Sequence, residues 1–278
     1  MGKAWDGALA HDVTSRGVKT LERALERYGL HCTVRVRTRA VVKWIDDYGK
    51  CAGEGAYMFT RLYLVRHGQT VFNTRQLIQG RCDSPLTELG RSQARAAAAW
   101  LRDEGVGFGA ACSSTAERAC STLELLWGGP YHRVLGLRER SFGDLEGTSV
   151  LQLPRPMGDF PAEHGGEREV DLAQRLTDAF ARAMRGDLTS VPGRTDAPIE
   201  PCAIMPGEGS GAQHNLLAVS HGAACKTFAA YWEKNAQVEI PSPFPNCEIL
   251  VFEYDEGEFS LIEAHDPAGH LGGAGLAI

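Results

Sequence analysis

Leu62-Tyr63-Leu64-Val65-Arg66-His67-Gly68-Gln69-Thr70-Val71-Phe72-Asn73 is the stretch whose reading decides the fold. Its apolar residues make a short strand, and the run breaks off at an arginine, a histidine and a glycine. Two basic side chains are thereby set on the lip of a sheet, where ligands collect in open α/β sheets. Gly68 removes a side chain where a ligand would approach the backbone, and Asn73 adds a neutral hydrogen-bonding group a few residues on.

Further along, Leu216 to Ser220 is a second apolar run that ends in the same way, at His221-Gly222. Between the two runs, strands and helices alternate. Thr87 reads as an N-cap with Glu88 well placed for the helix dipole, and the helix it opens runs to about Asp103, with Leu89, Ala96, Ala97, Trp100 and Leu101 on its apolar face. Phe108 to Cys112 reads as a core strand that finishes at Ser113-Ser114. The helix after it carries the clearest stripe in the chain, Ala116, Ala119, Cys120, Leu123, Leu126 and Trp127, and Arg118 in its first turn lies off that stripe, turned toward the strand lip.

Leu137-Arg138-Glu139-Arg140-Ser141-Phe142-Gly143-Asp144-Leu145-Glu146-Gly147 follows a short strand. Residues 148–165 hold three prolines and little period, which reads as a lid. Gly165-Gly166-Glu167 opens a helix with Val170, Ala173, Leu176, Phe180 and Met184 on one side. Residues 192–213 read as a loop, and their Gly207-Glu208-Gly209-Ser210-Gly211 is no nucleotide cradle, since no strand leads in and no Lys-Ser/Thr follows. Ile249–Tyr254 and Phe259–Glu263 form a hairpin.

With 43% hydrophobic and 23% charged residues, the chain has the balance of a globular protein. It has no apolar run of about 18 residues and no N-terminal signal pattern, so no membrane association and a cytoplasmic location are expected. Its formal charge of −6 argues against a nucleic-acid surface. The eight cysteines form no C-x-x-C pair and read as free thiols, and the nine histidines show no metal-ligand spacing. Residues 1–57 carry a basic excess, with Val18, Leu21, Leu25 and Tyr28 at helical spacing and Cys32, Val34 and Val36 alternating as in a strand. They read as an N-terminal extension or a start assigned too early, 58–271 as the catalytic domain, and 272–278 as a flexible tail.

Arg66-His67-Gly68 after a strand, Arg118 in Ser113-Ser114-x-x-x-Arg, Leu137-Arg138-Glu139 before a glycine turn and a second His-Gly after a strand resemble the histidine phosphatase superfamily, also called the phosphoglycerate mutase-like family, over about residues 59–271. The resemblance implies a three-layer α/β/α sandwich with a mostly parallel central sheet, as the alternation of elements also does. It implies His67 as nucleophile, His221 as stabiliser of the transferring group, and Arg66, Asn73 and Arg118, with Gly68 and Gly222, as its binding residues. Glu139 falls where the family donates or accepts the substrate's proton, and Glu146 at a position associated with structure.

Elementary chemistry runs the same way. A phosphate ester carries up to two negative charges, which the planar forks of Arg66 and Arg118 match. His67, with three cationic neighbours including His221, is pushed toward its neutral form and can attack phosphorus. A carboxyl with a raised pKa, Glu139, protonates the leaving alkoxide and then activates water. Arginines do the charge neutralisation, so neither metal nor other cofactor is expected.

Mutases of the family usually carry a longer, lysine-bearing insertion after the glutamate motif. Here the Gly147-to-Gly165 connection is short and has no lysine, which favours a phosphomonoester hydrolase. Phosphoglycerate mutase and a non-catalytic phospho-ligand module are the alternatives. The expected partner is a small phosphorylated metabolite, and homodimer formation stays open.

Overall fold

A computed structural model describes residues 59–188, 191–192 and 202–272. The expectations for residues 1–57, for 193–201 of the long loop and for the tail beyond Gly272 lie outside the described residues.

The strands are β1 (Arg61–Arg66), β2 (Ala110–Ser114), β3 (His132–Val134), β4 (Val191–Pro192), β5 (Asn215–Ser220), β6 (Ile249–Asp255) and β7 (Glu258–His265). They form one sheet in the order β4-β3-β2-β5-β1-β6-β7. The four inner strands β3, β2, β5 and β1 run parallel, while β4 pairs antiparallel at one edge and β6 and β7 at the other. The short β4 falls at the start of the stretch read as loop, and its proline is tolerated because the strand is an edge.

Period-two alternation splits the buried residues of β1 and β5 between two cores. Leu62, Leu64, Leu216 and Ala218 face one, with Phe180 and Phe228. Tyr63, Val65, Leu217 and Val219 face the other, with Ala94, Ala97 and Leu123. Each fully buried Leu or Phe contributes about 1.5–3 kcal/mol, so a one-residue slip of β1 would forfeit both faces together.

The helices are α1 (Val71–Thr74), α2 (Glu88–Asp103), α3 (Glu117–Leu126), α4 (Phe160–Glu163), α5 (Glu169–Met184) and α6 (Gly222–Tyr231). Residues of α2 and α3 join the second core, and those of α5 and α6 the first, which completes the three layers. Thr87 caps α2 by accepting the Gly90 N–H. Two stripes differ from expectation. Val170 is 55% exposed, and Leu172 takes the buried place in the first turn of α5. On α2 the small residues Gly90, Ala94 and Ala98 are buried while Leu89, Ala96 and Trp100 are half-covered, because the helix crosses close to the sheet.

Candidate active site

The site gathers where β1, β2 and β5 end. Arg66 closes β1 and His67 follows, Ser114 closes β2 one turn before Arg118, and His221 follows β5 as the N-cap of α6. The rings of His67 and His221 lie 5.3 Å apart between centroids. Glu139 reaches the same place from the loop after β3: its Oε1 accepts the N–H groups of Arg140 and Ala224, each at 2.8 Å, and its Oε2 that of Ala223 at 3.0 Å. The carboxyl is thus seated on the first turn of α6, where the helix dipole favours negative charge.

His67 is 4% exposed, and its Nδ1 lies 2.8 Å from the Gly68 carbonyl oxygen. A carbonyl can only accept, so Nδ1 carries the hydrogen and Nε2 the lone pair. Burial, followed by the Arg118 and Arg66 charges, pushes this imidazole well below the usual 6.5. His221 is driven down as well, by burial first and then by Arg118 and His67. The His221 ring is pushed the same way as His67, and the charges that lower His67 are those of the two arginines. Burial pushes the Glu139 carboxyl above its ordinary value, against three backbone N–H bonds and Arg118, which act the other way.

Arg118 is 1% exposed. Its terminal nitrogens donate to the carbonyls of Gln79, Gly80 and Cys82, and it pairs with Asp83 at 2.9 Å. Those partners lie some 35 to 39 residues back in the chain, which is why a helical stripe did not announce them. Arg66 donates to the Phe244 carbonyl, and its Nε is buried without a hydrogen-bond partner. Asn73 accepts the Thr70 N–H through Oδ1, which also lies 3.4 Å from Asn246 Nδ2.

The two glycines have physical reasons other than ligand approach. A Cβ on Gly68 would stand 2.4 Å from the Gly90 carbonyl oxygen, so the close neighbour is the first turn of α2. A Cβ on Gly222 would press on the Arg66 guanidinium at 3.2 Å.

Sequence reading missed the supporting groups. Thr122 accepts the Gly68 N–H, Ser114 Oγ lies 2.7 Å from His221 Nε2, and Asn246 donates to the His67 carbonyl. Only the short spacing of Ser114 and Thr122 from Arg118 hinted at them. Glu146 accepts the N–H groups of Gly80, Arg81, Cys82 and Phe142, and so shapes the loop that holds Arg118. Residues 150–158 of the expected lid border a cavity of about 540 Å³ against α6, lined also by Ala223 and Lys226. Among the described residues no three His, Cys, Asp or Glu side chains come together as metal ligands.

Comparison with known proteins matches residues 62–190 to the model of the histidine phosphatase superfamily, branch 1. A 2,3-bisphosphoglycerate-dependent phosphoglycerate mutase of Nitrobacter hamburgensis is 38% identical over 152 residues, 47% of this chain and 73% of that protein. The chain belongs to the histidine phosphatase superfamily. The broad-specificity phosphatase YOR283W of Saccharomyces cerevisiae is 31% identical over 126 residues, 42% of this chain and 55% of that protein. The match spans 64% of the length of further bacterial mutases, such as that of Xanthobacter autotrophicus. Among solved structures, YhfR of Bacillus stearothermophilus superposes with a TM-score of 0.54 at 28% identity, covering 73% of this chain and 95% of that one. This likeness agrees with the three-layer α/β architecture. No helix among the described residues is long and apolar enough to cross a membrane.

Proposed function

We propose that this superfamily member is a phosphomonoester hydrolase acting on a small phosphorylated metabolite through a phosphohistidine on His67. The observation that carries the reading is the His67 ring itself. Its Nδ1–H is committed to the Gly68 carbonyl, which leaves Nε2 bare, and burial beside Arg66 and Arg118 keeps the ring unprotonated.

In the first step Nε2 attacks phosphorus, the bond from phosphorus to the ester oxygen breaks, and Glu139 delivers its proton to the departing alkoxide. Oε2 is the oxygen suited to carry that proton, because it accepts one N–H bond where Oε1 accepts two. Arg66, the Nε–H of Arg118, which the loop contacts leave without a partner, and the amide of Asn73 hold the phosphoryl oxygens, and His221 supports the transferring group. In the second step the ionised Glu139 takes a proton from water as it attacks phosphorus. The nitrogen–phosphorus bond breaks, and inorganic phosphate leaves with His67 restored.

A mutase returns the phosphoryl group to a second hydroxyl instead of to water, and the mutase names among the relatives favour that reading. The lysine-free connection from Gly147 to Gly165 and the phosphatase relative favour hydrolysis. Free thiols at all six described cysteines suit a reducing compartment, in keeping with a cytoplasmic enzyme.

The test is release of inorganic phosphate from a panel of phosphomonoesters, in EDTA, with His67→Ala beside the wild type. Release that needs His67 is expected. Isomerised phosphoglycerate without net release would move the assignment to the mutase.

A further inference from the structure

Two histidine rings meet in the site, and they are held differently. The tautomer of His67 is settled by a backbone carbonyl, which can only accept. His221 has no such partner. Its Nε2 lies 2.7 Å from Ser114 Oγ, and its buried Nδ1 has no hydrogen-bond partner among the described residues. A hydroxyl can donate or accept, so this contact alone leaves the tautomer open. Burial, with Arg118 and His67, favours the unprotonated ring, which has a single N–H to place.

The fold brings the two residues together. Strands β2 and β5 are parallel neighbours with Ser113 opposite Val219, so Ser114 and His221 leave the two strand ends side by side. Both are fully buried. The Ala116 N–H donates to Ser114 Oγ at 3.3 Å, and among the described residues the Ser114 hydroxyl has no acceptor other than His221.

Two arrangements fit the 2.7 Å contact. If Nε2–H donates to Ser114, the hydroxyl hydrogen lacks an acceptor and the Nδ1 lone pair lacks a donor, which leaves two unmet groups in a buried place. If the Ser114 O–H donates to Nε2, the hydroxyl is satisfied as donor and as acceptor, and only Nδ1–H remains. Buried polar groups left unmet are costly and rare, so the second arrangement prevails. The ring that carries this N–H packs against the His67 ring, 5.3 Å between centroids, among the residues assigned to the transferring group. A donor kept from protein acceptors suits a phosphoryl oxygen.

We propose that Ser114 is a positioning residue for His221: by donating to Nε2 it fixes the Nδ1–H tautomer, and that N–H is what His221 offers to the phosphoryl group. The proposal rests on the phosphoryl-transfer reading of the site. His221 then supplies direction, while Arg66 and Arg118 supply charge.

Nitrogen NMR of the histidine rings, with His221→Ala to assign the resonances, tests this without turnover. The wild type at pH 7 is expected to carry the His221 hydrogen on Nδ1, and this spectrum needs no Ser114 variant to fold. In Ser114→Ala the hydrogen is expected to spread to Nε2, while the His67 ring keeps its Nδ1–H. With unfolding by heat as the control, kcat/KM on an alkyl phosphate is expected to fall by about tenfold or more, the scale of one hydrogen bond to a charged acceptor. In a His221→Ala background the same substitution costs little further rate, because Ser114 acts through His221. Expected spectra in a protein that releases no phosphate would retain the tautomer assignment and refute the hydrolase. A wild-type ring with its hydrogen on Nε2, a tautomer unchanged in Ser114→Ala, or full activity in Ser114→Ala despite a changed tautomer would overturn this inference and leave the hydrolase standing.

Discussion

Replacing Glu139 by glutamine removes the proposed proton carrier while keeping the side-chain shape. A glutamine oxygen can take the place of Oε1 and keep the bonds from Arg140 and Ala224, but its NH2 group then faces the Ala223 N–H, donor against donor. Loss of one hydrogen bond to a charged acceptor costs about 1.5–3 kcal/mol. Relief from burying a carboxyl offsets part of that, since burial is the largest influence on this group. Net destabilisation should stay below about 2 kcal/mol, small enough for the variant to fold. The rate should respond far more, because general acid catalysis contributes roughly 10²–10⁴-fold. That loss should fall on esters whose alkoxide needs the proton and spare those whose leaving group departs unaided. The assay is kcat/KM across a series of alkyl and aryl phosphates, with thermal unfolding as the control. A steeper dependence on leaving-group pKa in the variant is expected. An equal loss for alkyl and aryl esters would refute the proton-transfer role.

Glu146→Ala should uncouple the loop of residues 79–83, because four backbone N–H groups lose their shared acceptor. A lower Tm and a KM raised more than kcat is lowered are expected, and an unchanged KM would show that Arg118 does not depend on that loop. The rings of His67 and His221 are both held below 6.5, so the folded state binds fewer protons than the unfolded chain as pH falls past that value. Their contribution to stability is therefore complete above about pH 6.5 and is lost toward acid. Ring nitrogen NMR should find His67 neutral with the hydrogen on Nδ1 at pH 6.5, and a midpoint at or above that pH would contradict the electrostatic account. Gly68→Ala should destabilise the fold even without ligand, because its Cβ meets the Gly90 carbonyl oxygen; an unchanged Tm would show that the contact with α2 does not require a glycine there.

The sequence made the sheet legible because β1 and β5 are short apolar runs with abrupt polar ends, a pattern that local composition carries by itself. The stripe on α3 was equally plain. What stayed hidden depends on neighbours far along the chain. Arg118 looked like an arginine turned from the core, and only the fold brings the carbonyls of residues 79–82 around it. Val170 has the right residue type at helical spacing, yet Leu172 is the one that meets the core. His221 was counted among the cationic neighbours of His67. Its complete burial and the nearby Arg118, both tertiary facts, push its pKa down.

The central claim is a covalent bond between phosphorus and His67 Nε2. Rapid quenching into alkali during turnover of an aryl phosphate, followed by peptide mass spectrometry, tests it most directly. Glu139→Gln serves best, because it still forms the intermediate from a good leaving group and hydrolyses it slowly. A phosphoryl group on the peptide containing His67, absent from His67→Ala, is the predicted result. Turnover with that peptide unmodified, or with the label on another residue, would contradict the account.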